Sequence, residues 1–511
     1  MIHVFILLLP VSLALRKDRK KWIKKEYGSE YINKAQKNAR RLLNTFVSLG
    51  PAYVKLGQWL SSRADILPQP YMIELAKLQD EVPPAPYAQI EKIMRHDLGE
   101  SYHKLEQINT KAVSGASLGQ VYLAKVDGKA VAVKVKRPGI DKVIKEDIAV
   151  LKRIFPIALK FVDPNLGFSA KGMLEQFDES IQEEMDYTKE AKNLKEIRDN
   201  ISDRNDVVIP AVYDELSTKN VLTMEYISGT KVTDIESLDR MGIDRHKLVL
   251  DVHKVFFRML LCNAIFHADP HPGNISVTKE GHLILYDFGM VGRIDEQTRM
   301  KLVRLYLALV EKDPSRTVRT MNSLGMLAPD ANAELIERAI DLSVQAMHGQ
   351  KPDQMEVESL LEIANRTMSH FPFLLPKNLA LYLRMTSIIE GIYKTHQIEF
   401  KFVELMKQIL VEENLMYEAY VGEIRTTVET FVKSAQDIIS LVPELKKFLN
   451  ENRQMRYTKK RDAILSTSVI SGAGFVGSSI LYTSDQILGT VGMTITIVSF
   501  AVMLVRKRTK F

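Results

Sequence analysis

A chain of 511 residues, 46% hydrophobic and 26% charged, suits two or three structural units and is neither disordered nor wholly membrane-embedded. The single cysteine, Cys262, excludes a disulfide framework and fits a cytosol-facing body. The net charge of +7 sits largely in Arg16–Lys25, Lys459–Arg461 and Arg506–Lys510. These runs border apolar segments, and no zinc-ligand spacing or RNA-binding aromatic signature accompanies them, so a membrane surface is favoured over nucleic acid.

In residues 1–34, Val4–Leu15 is apolar but too short to span a bilayer, and its basic cluster follows it. A cleaved signal peptide has the opposite charge order. The segment reads as an interfacial or packed helix, with a start-site or signal-anchor alternative open. Residues 35–106 show a helical pattern. Pro51 and Pro70 each open a helix, and Lys55 and Gln58 share one face around Gly57.

From residue 107 the pattern turns to strands. Ala112–Val126 and Ala130–Lys136 flank an Asp127-Gly128 turn, as in a hairpin. A helical stretch, Leu174–Ile197, precedes a strand at Val221–Ile227. Residues 228–449 carry a helix at Leu248–Ala264, a short hairpin at Ser276–Val277 and Leu283–Tyr286, and helices from Asp295 onward. This order describes a β-rich lobe at 107–227 with inserted helices, then a helical lobe.

A basic linker (450–462) leads to two uncharged runs within 463–505, Ala463–Tyr482 and Ile487–Val505. Each is close to the roughly 20 residues that cross a bilayer as a helix. The four residues between them force an antiparallel hairpin. Basic residues on both outer sides, including the tail 506–511, place the preceding body in the cytoplasm of a multi-pass membrane protein. The expected fold class is α+β: a bilobal protein-kinase-like body with an N-terminal helical extension and a C-terminal transmembrane helical hairpin.

The chemistry-bearing residues fit phosphoryl transfer. A kinase catalytic loop supplies an Asp, an Asn about five positions later, and then the Asp of a DFG turn. His267-Ala268-Asp269-Pro270-His271-Pro272-Gly273-Asn274 and Tyr286-Asp287-Phe288-Gly289 match that spacing, with a hairpin between them. Asp269 is the candidate catalytic carboxylate, and Asn274 and Asp287 are candidate ligands for Mg²⁺ or Mn²⁺. Pro270, Pro272 and Gly273 rule against a zinc helix carrying His267 and His271, so the histidines read as loop-shaping.

Lys134 ends Val131-Ala132-Val133-Lys134, the pattern of a strand whose lysine contacts ATP phosphates. The preceding loop is Ser114-Gly115-Ala116-Ser117-Leu118-Gly119-Gln120-Val121, with Ser114 and Ala116 where a kinase loop has glycines. Glu184, Asp186 and Glu190 lie in an acidic helical region that supplies the lysine's partner. On an ideal helix Glu184 and Asp186 diverge by roughly 200°, so both reach one site only if the helix bends or begins there. Glu225, Tyr226 and Ile227 fall where a kinase hinge offers backbone groups to adenine.

From about Asn44 to Phe400 the sequence resembles the UbiB-like atypical kinase family. Lys55-Leu56-Gly57-Gln58 looks like its KxGQ extension, and Ala116–Val121 like its alanine-rich nucleotide loop. Glu184-Met185-Asp186 is similar to its ExD motif, and Leu375–Gly391 to its C-lobe signature. The resemblance implies an ATPase whose KxGQ segment packs across the place where a protein substrate would dock. It also implies ATP with Mg²⁺ as cofactors, and work in quinone or other isoprenoid-lipid biosynthesis. Membrane lipid, isoprenoid or quinone precursors and lipid-biosynthesis enzymes are the partners expected. A conventional Ser/Thr-type protein kinase and a nucleotide-gated, non-catalytic lipid-handling scaffold are the alternatives.

Overall fold

A computed structural model describes residues 2–23, 29–61, 67–78, 85–115, 118–162, 174–175, 177–328, 331–347, 377–399 and 401–422. Loop residues Ala116 and Ser117 and the expected hairpin 463–505 lie outside these. Among the described residues no helix is long and apolar enough to cross a membrane. Residues Met1–Glu413 form one compact unit, and a second begins at Asn414. The first is the kinase-like body.

Five helices precede the sheet: α1 (Ile2–Ile23), α2 (Ser29–Leu49), α3 (Pro51–Leu60), α4 (Gln69–Leu75) and α5 (Tyr87–Leu98). The Val4–Leu15 run is a packed helix, with Leu8, Val11 and Leu15 buried, although Ile6 and Leu13 face solvent. The apolar faces of α1–α4 share one core with α6 (Ile140–Val162). Buried Asp18 of α1 fixes the register: its carboxylate accepts from Asn38 Nδ2 and Tyr71 Oη, both at 2.8 Å. Tyr31 Oη donates to its carbonyl at 3.0 Å. A buried polar group of this kind is tolerated because it is fully bonded.

Gly57 lets α3 seat closely. A Cβ there would lie 2.3 Å from Leu78 Cδ1 and 2.7 Å from Phe46 Cδ2. Only a residue with no side chain fits that gap.

The first sheet runs β1 (Ser114–Gly115), β2 (Gly119–Val126), β3 (Lys129–Lys136), β5 (Val221–Glu225), all antiparallel. Asp127 and Gly128 both have positive φ, 50° and 73°, as a two-residue hairpin turn matched to strand twist requires. Tyr122, Ala124, Val131, Val133 and Val135 form a core with Ile90, Met94 and Leu98 of α5. The expected strand Ala112–Val126 is in fact two, with the nucleotide loop between β1 and β2. The strand expected to reach Ile227 stops at Glu225, where pairing with β3 ends at Val131.

Within the helical region expected around Leu174–Ile197, a new helix begins at Tyr187. Helical residues 177–184 stop at Met185, and Asp186 (φ −120°, ψ 96°) caps α7 (Tyr187–Asn200) by accepting from Thr188 N–H. An N-cap carboxylate bonded this way starts a new helix.

The helical lobe is centred on α9 (Arg245–Cys262), which follows the short α8 (Ile235–Arg240) and buries Phe256, Phe257 and Leu260. Two small sheets flank it. One pairs β7 (Ile265–His267) with β10 (Val291–Arg293). The other runs β4 (Val207–Val208), β9 (Leu283–Leu285), β8 (Ile275–Val277), β6 (Thr230–Lys231). Then follow α10 (Glu296–Val310), α11 (Pro314–Ser323), α12 (Ala333–Met347), α13 (Lys377–Thr395) and α14 (Phe402–Glu412).

Candidate active site

Strand alternation aims the first charged group. Val133 and Val135 turn into the core, so Lys134 points the other way, paired with Val121 of β2. Its Nζ lies 2.8 Å from both carboxylate oxygens of Glu190, one turn into α7, and 3.4 Å from Asp287 Oδ2. Burial disfavours the ammonium, but Asp287 and Glu190 outweigh it and hold Lys134 well above the ordinary lysine value. Burial pushes the Glu190 carboxyl up to about 7 against the pull of Lys134, with Asp287 adding to the rise.

Asp287 takes a left-handed φ of 50° and accepts from Gly289 N–H at 3.0 Å. Burial opposes its ionisation, yet Lys134, the Gly289 amide and Lys55 bring its carboxyl down to about 2. Its side chain is 46% open to solvent, which leaves a face for a ligand. Asn274 sits opposite Tyr286 across the β8–β9 hairpin, its carbonyl accepting from Tyr286 N–H at 2.9 Å. Asn274 and Asp287 thus come to one end of that hairpin. A neutral amide oxygen and an open carboxylate are hard donors, and they fit Mg²⁺ or Mn²⁺.

The histidines shape the catalytic loop, as expected. Asp269 N–H donates to His267 Nδ1 at 3.2 Å, and His267 Nε2 lies 3.3 Å from the Tyr286 carbonyl. Burial lowers the pKa of His267. Gly273 N–H donates to His271 Nδ1 at 3.1 Å.

Asp269 has a partner that spacing in the loop does not predict. Arg384 of α13 donates to its Oδ1 at 3.1 Å and to the Gln58 carbonyl of α3 at 3.3 Å. Burial raises the Asp269 carboxyl, but Arg384 overrides this and holds it below the usual carboxylate range. Arg384 lies inside the Leu375–Gly391 stretch, the one signal in the sequence that could have pointed to it.

Lys55 pairs with Glu184, and Gln58 Nε2 donates to the Leu78 carbonyl at 3.1 Å. The helix break therefore divides the acidic motif. Glu184 meets Lys55, Glu190 meets Lys134, and Asp186 is engaged as the N-cap, with Thr188 Oγ1 at 2.6 Å. In the nucleotide loop Ser114 and Gly115 form β1, Leu118 and Gln120 are buried, and Gly119 and Val121 open β2. At the hinge, Glu225 N–H bonds the Ala211 carbonyl at 2.8 Å and Tyr226 N–H the Ala130 carbonyl at 3.1 Å. The Ile227 carbonyl accepts from Tyr286 Oη at 2.9 Å.

The model of the ABC1 atypical kinase-like domain matches residues 77–321. Protein ACTIVITY OF BC1 COMPLEX KINASE 8, chloroplastic, of Arabidopsis thaliana is 32% identical over 413 residues, covering 73% of this chain and 54% of the relative. Protein ACTIVITY OF BC1 COMPLEX KINASE 1, chloroplastic, of the same plant is 31% identical, covering 84% and 65%. The chain thus spans about half to two thirds of the length of these plant relatives. Uncharacterized protein sll1770 of Synechocystis sp. is 31% identical, covering 77% of this chain and 68% of the relative. The complex structure of Rv3197–erythromycin from Mycobacterium tuberculosis shares the fold, with a TM-score of 0.50 and 23% identity over 70% of this chain and 91% of that one. With the domain match spanning the Lys134, Asp269 and Asp287 elements, and with more than two thirds of the cyanobacterial relative covered, the chain belongs to the ABC1 atypical kinase-like family.

Proposed function

We propose that the protein is a membrane-anchored, kinase-like ATPase that binds Mg-ATP and supports quinone or other isoprenoid-lipid biosynthesis. One contrast carries the reading: the phosphate and metal side is assembled, whereas the acceptor side is bridged. Lys134 is held by Glu190 and Asp287, ready for the α and β phosphates, while Arg384 ties Asp269 to α3. Bound Mg²⁺ or Mn²⁺ would neutralise charge building up on the phosphates. Asn274 and Asp287 would hold it, and Asp269 would orient the attacking hydroxyl or water.

A conventional Ser/Thr protein kinase needs Asp269 open to a peptide hydroxyl, and the Arg384 bridge and Lys55 helix weigh against that. Attachment to membrane lipid is supported by the uncharged runs Ala463–Tyr482 and Ile487–Val505 and by their basic flanks, which favour a cytoplasmic body at the cell membrane. Isoprenoid or quinone precursors and lipid-biosynthesis enzymes are its proposed partners.

The test compares phosphate release with labelled-phosphate transfer in liposomes, with and without a prenylphenol-like lipid. We expect metal-dependent phosphate release that rises with the lipid, and loss of metal-dependent ATP affinity in Asp287→Asn. Asn tolerates a left-handed φ, so this variant removes the charge without straining the backbone. Efficient transfer to proteins without lipid dependence would instead establish a conventional kinase. Binding without turnover would establish a scaffold.

A further inference from the structure

Tyr187 opens α7 directly after the capping Asp186, and its N–H is anchored on the Lys219 carbonyl at 3.2 Å. The residue is 2% exposed, and its hydroxyl has no hydrogen-bond partner among the described residues. Buried hydroxyls are almost always paired, so an orphan of this kind calls for an explanation. Its position supplies one. The ring lies 5.2 Å from Lys134 Nζ, at cation–π distance. The hydroxyl oxygen sits 2.2 Å from the point where a Cβ on Gly119 would fall. Tyr187 therefore reaches between the last glycine of the nucleotide loop and the phosphate-binding lysine.

Its charged surroundings narrow the chemistry that the hydroxyl can serve. Lys134 lies beside it, and Glu190, Asp287 and Glu184 act on it electrostatically, yet Glu190 and Glu184 are turned to lysines and none of the three accepts the hydroxyl proton. Burial keeps that proton on the oxygen by raising its pKa. A proton donor aimed at a phosphate loop beside an ammonium group suits an anionic oxygen brought by a ligand.

We propose that Tyr187 is a phosphate-binding residue whose hydroxyl donates to a phosphate oxygen of the nucleotide gripped by Lys134. This rests on the Mg-ATP reading above and adds a contact to it. Gly119 is the complementary feature, since any side chain there would occupy the place of the hydroxyl.

Tyr187→Phe tests this cleanly, because it keeps the ring over Lys134 and deletes only the oxygen. Without nucleotide its unfolding midpoint should equal or exceed that of the full-length parent, as a buried orphan group is removed. Its Mg-ATP and Mg-ADP affinities, measured calorimetrically, should fall about tenfold, the loss typical of a hydrogen bond to a charged group. Adenosine, which lacks phosphates, should bind both proteins equally. A second variant checks the geometry. Gly119→Ala should weaken Mg-ATP in the parent and lose less in a Tyr187→Phe background, where the new methyl would lie 3.5 Å from Cζ and keep only its 3.0 Å approach to the Val135 carbonyl.

A folded Tyr187→Phe protein with parental Mg-ATP affinity would overturn the proposal. So would an equal loss for adenosine, or fully additive losses in the double variant. A parent that binds no nucleotide would remove the Mg-ATP reading along with this one, and that result is distinct from normal binding left untouched by the substitution.

Discussion

Replacing Arg384 with Met removes the guanidinium while keeping an apolar side chain of similar length, and it strands Asp269. Breaking a buried ion pair from one side costs about 3–5 kcal/mol, because the remaining charge is left uncompensated. Here the two side chains are 15% and 22% exposed, so water recovers part of that loss and about 2–3 kcal/mol is expected. The tie from α13 to the Gln58 carbonyl disappears as well. With a urea slope of about 3 kcal/mol/M or more, since the slope grows with chain length, the unfolding midpoint should move down by up to about 1 M.

The pH dependence follows from Asp269. Its folded carboxyl is held below the ordinary carboxylate range, so the pair's stabilisation is present above that range and is lost as pH falls through the lowered value. The difference between parent and Arg384→Met should therefore be full at neutral pH and shrink in acid. Adding Asp269→Asn should restore much of the lost stability, since it removes the stranded charge. An unchanged urea midpoint at pH 7 would refute the view that Arg384 restrains Asp269.

Lys55→Ala and Glu184→Ala should each alter nucleotide affinity or turnover and should couple by about 1.5–3 kcal/mol in a double-mutant cycle. A folded Lys55→Ala protein with parental binding and turnover would show that the Lys55–Glu184 pair plays no part in the site. Gly57→Ala should cost about 1–3 kcal/mol in thermal unfolding, because Leu78 and Phe46 must shift to admit the methyl; an unaltered melting temperature would show that they yield freely. Truncation before Arg461 should release the protein from membranes with nucleotide binding intact. Retention of the truncated form on membranes would transfer the anchoring role to α1, whose Ile6 and Leu13 face outward.

The parts of the site that follow from local chemistry were readable in the sequence. Alternation around Lys134, the turn at Asp127-Gly128, and prolines that bar a helix between His267 and His271 each have one physical outcome over a few residues. Glu190 was within reach as one of several acids in a helical region, although its pairing with Lys134 spans 56 positions. What escaped depends on distant contacts. Arg384 meets Asp269 across 115 positions, and no spacing rule spans such a gap. The division of Glu184 from Glu190 was partly legible: the angle between Glu184 and Asp186 required a bend or a helix start, and Asp186 leaving helical torsion to cap α7 is that start. The parallel pairing of β4 with β9 is equally silent, since Val207–Val208 is too short to show a period.

The packing of α1 against α6 also constrains the order of events during synthesis. The apolar face of α1, with Leu8, Val11 and Leu15, packs in one core with α2 and α6, so its cover is complete only once Ile140–Val162 has left the ribosome. At about 5–20 residues per second, translating the roughly 140 residues from the end of α1 to the end of α6 takes on the order of 7–30 s. A helix forms within microseconds, so throughout that interval the nascent chain presents an oily ridge that α2 covers only in part. A chaperone or a nearby bilayer is the natural temporary host. Codon changes that slow translation between α2 and α6 should lower the yield of folded protein more than the same delay placed after α6.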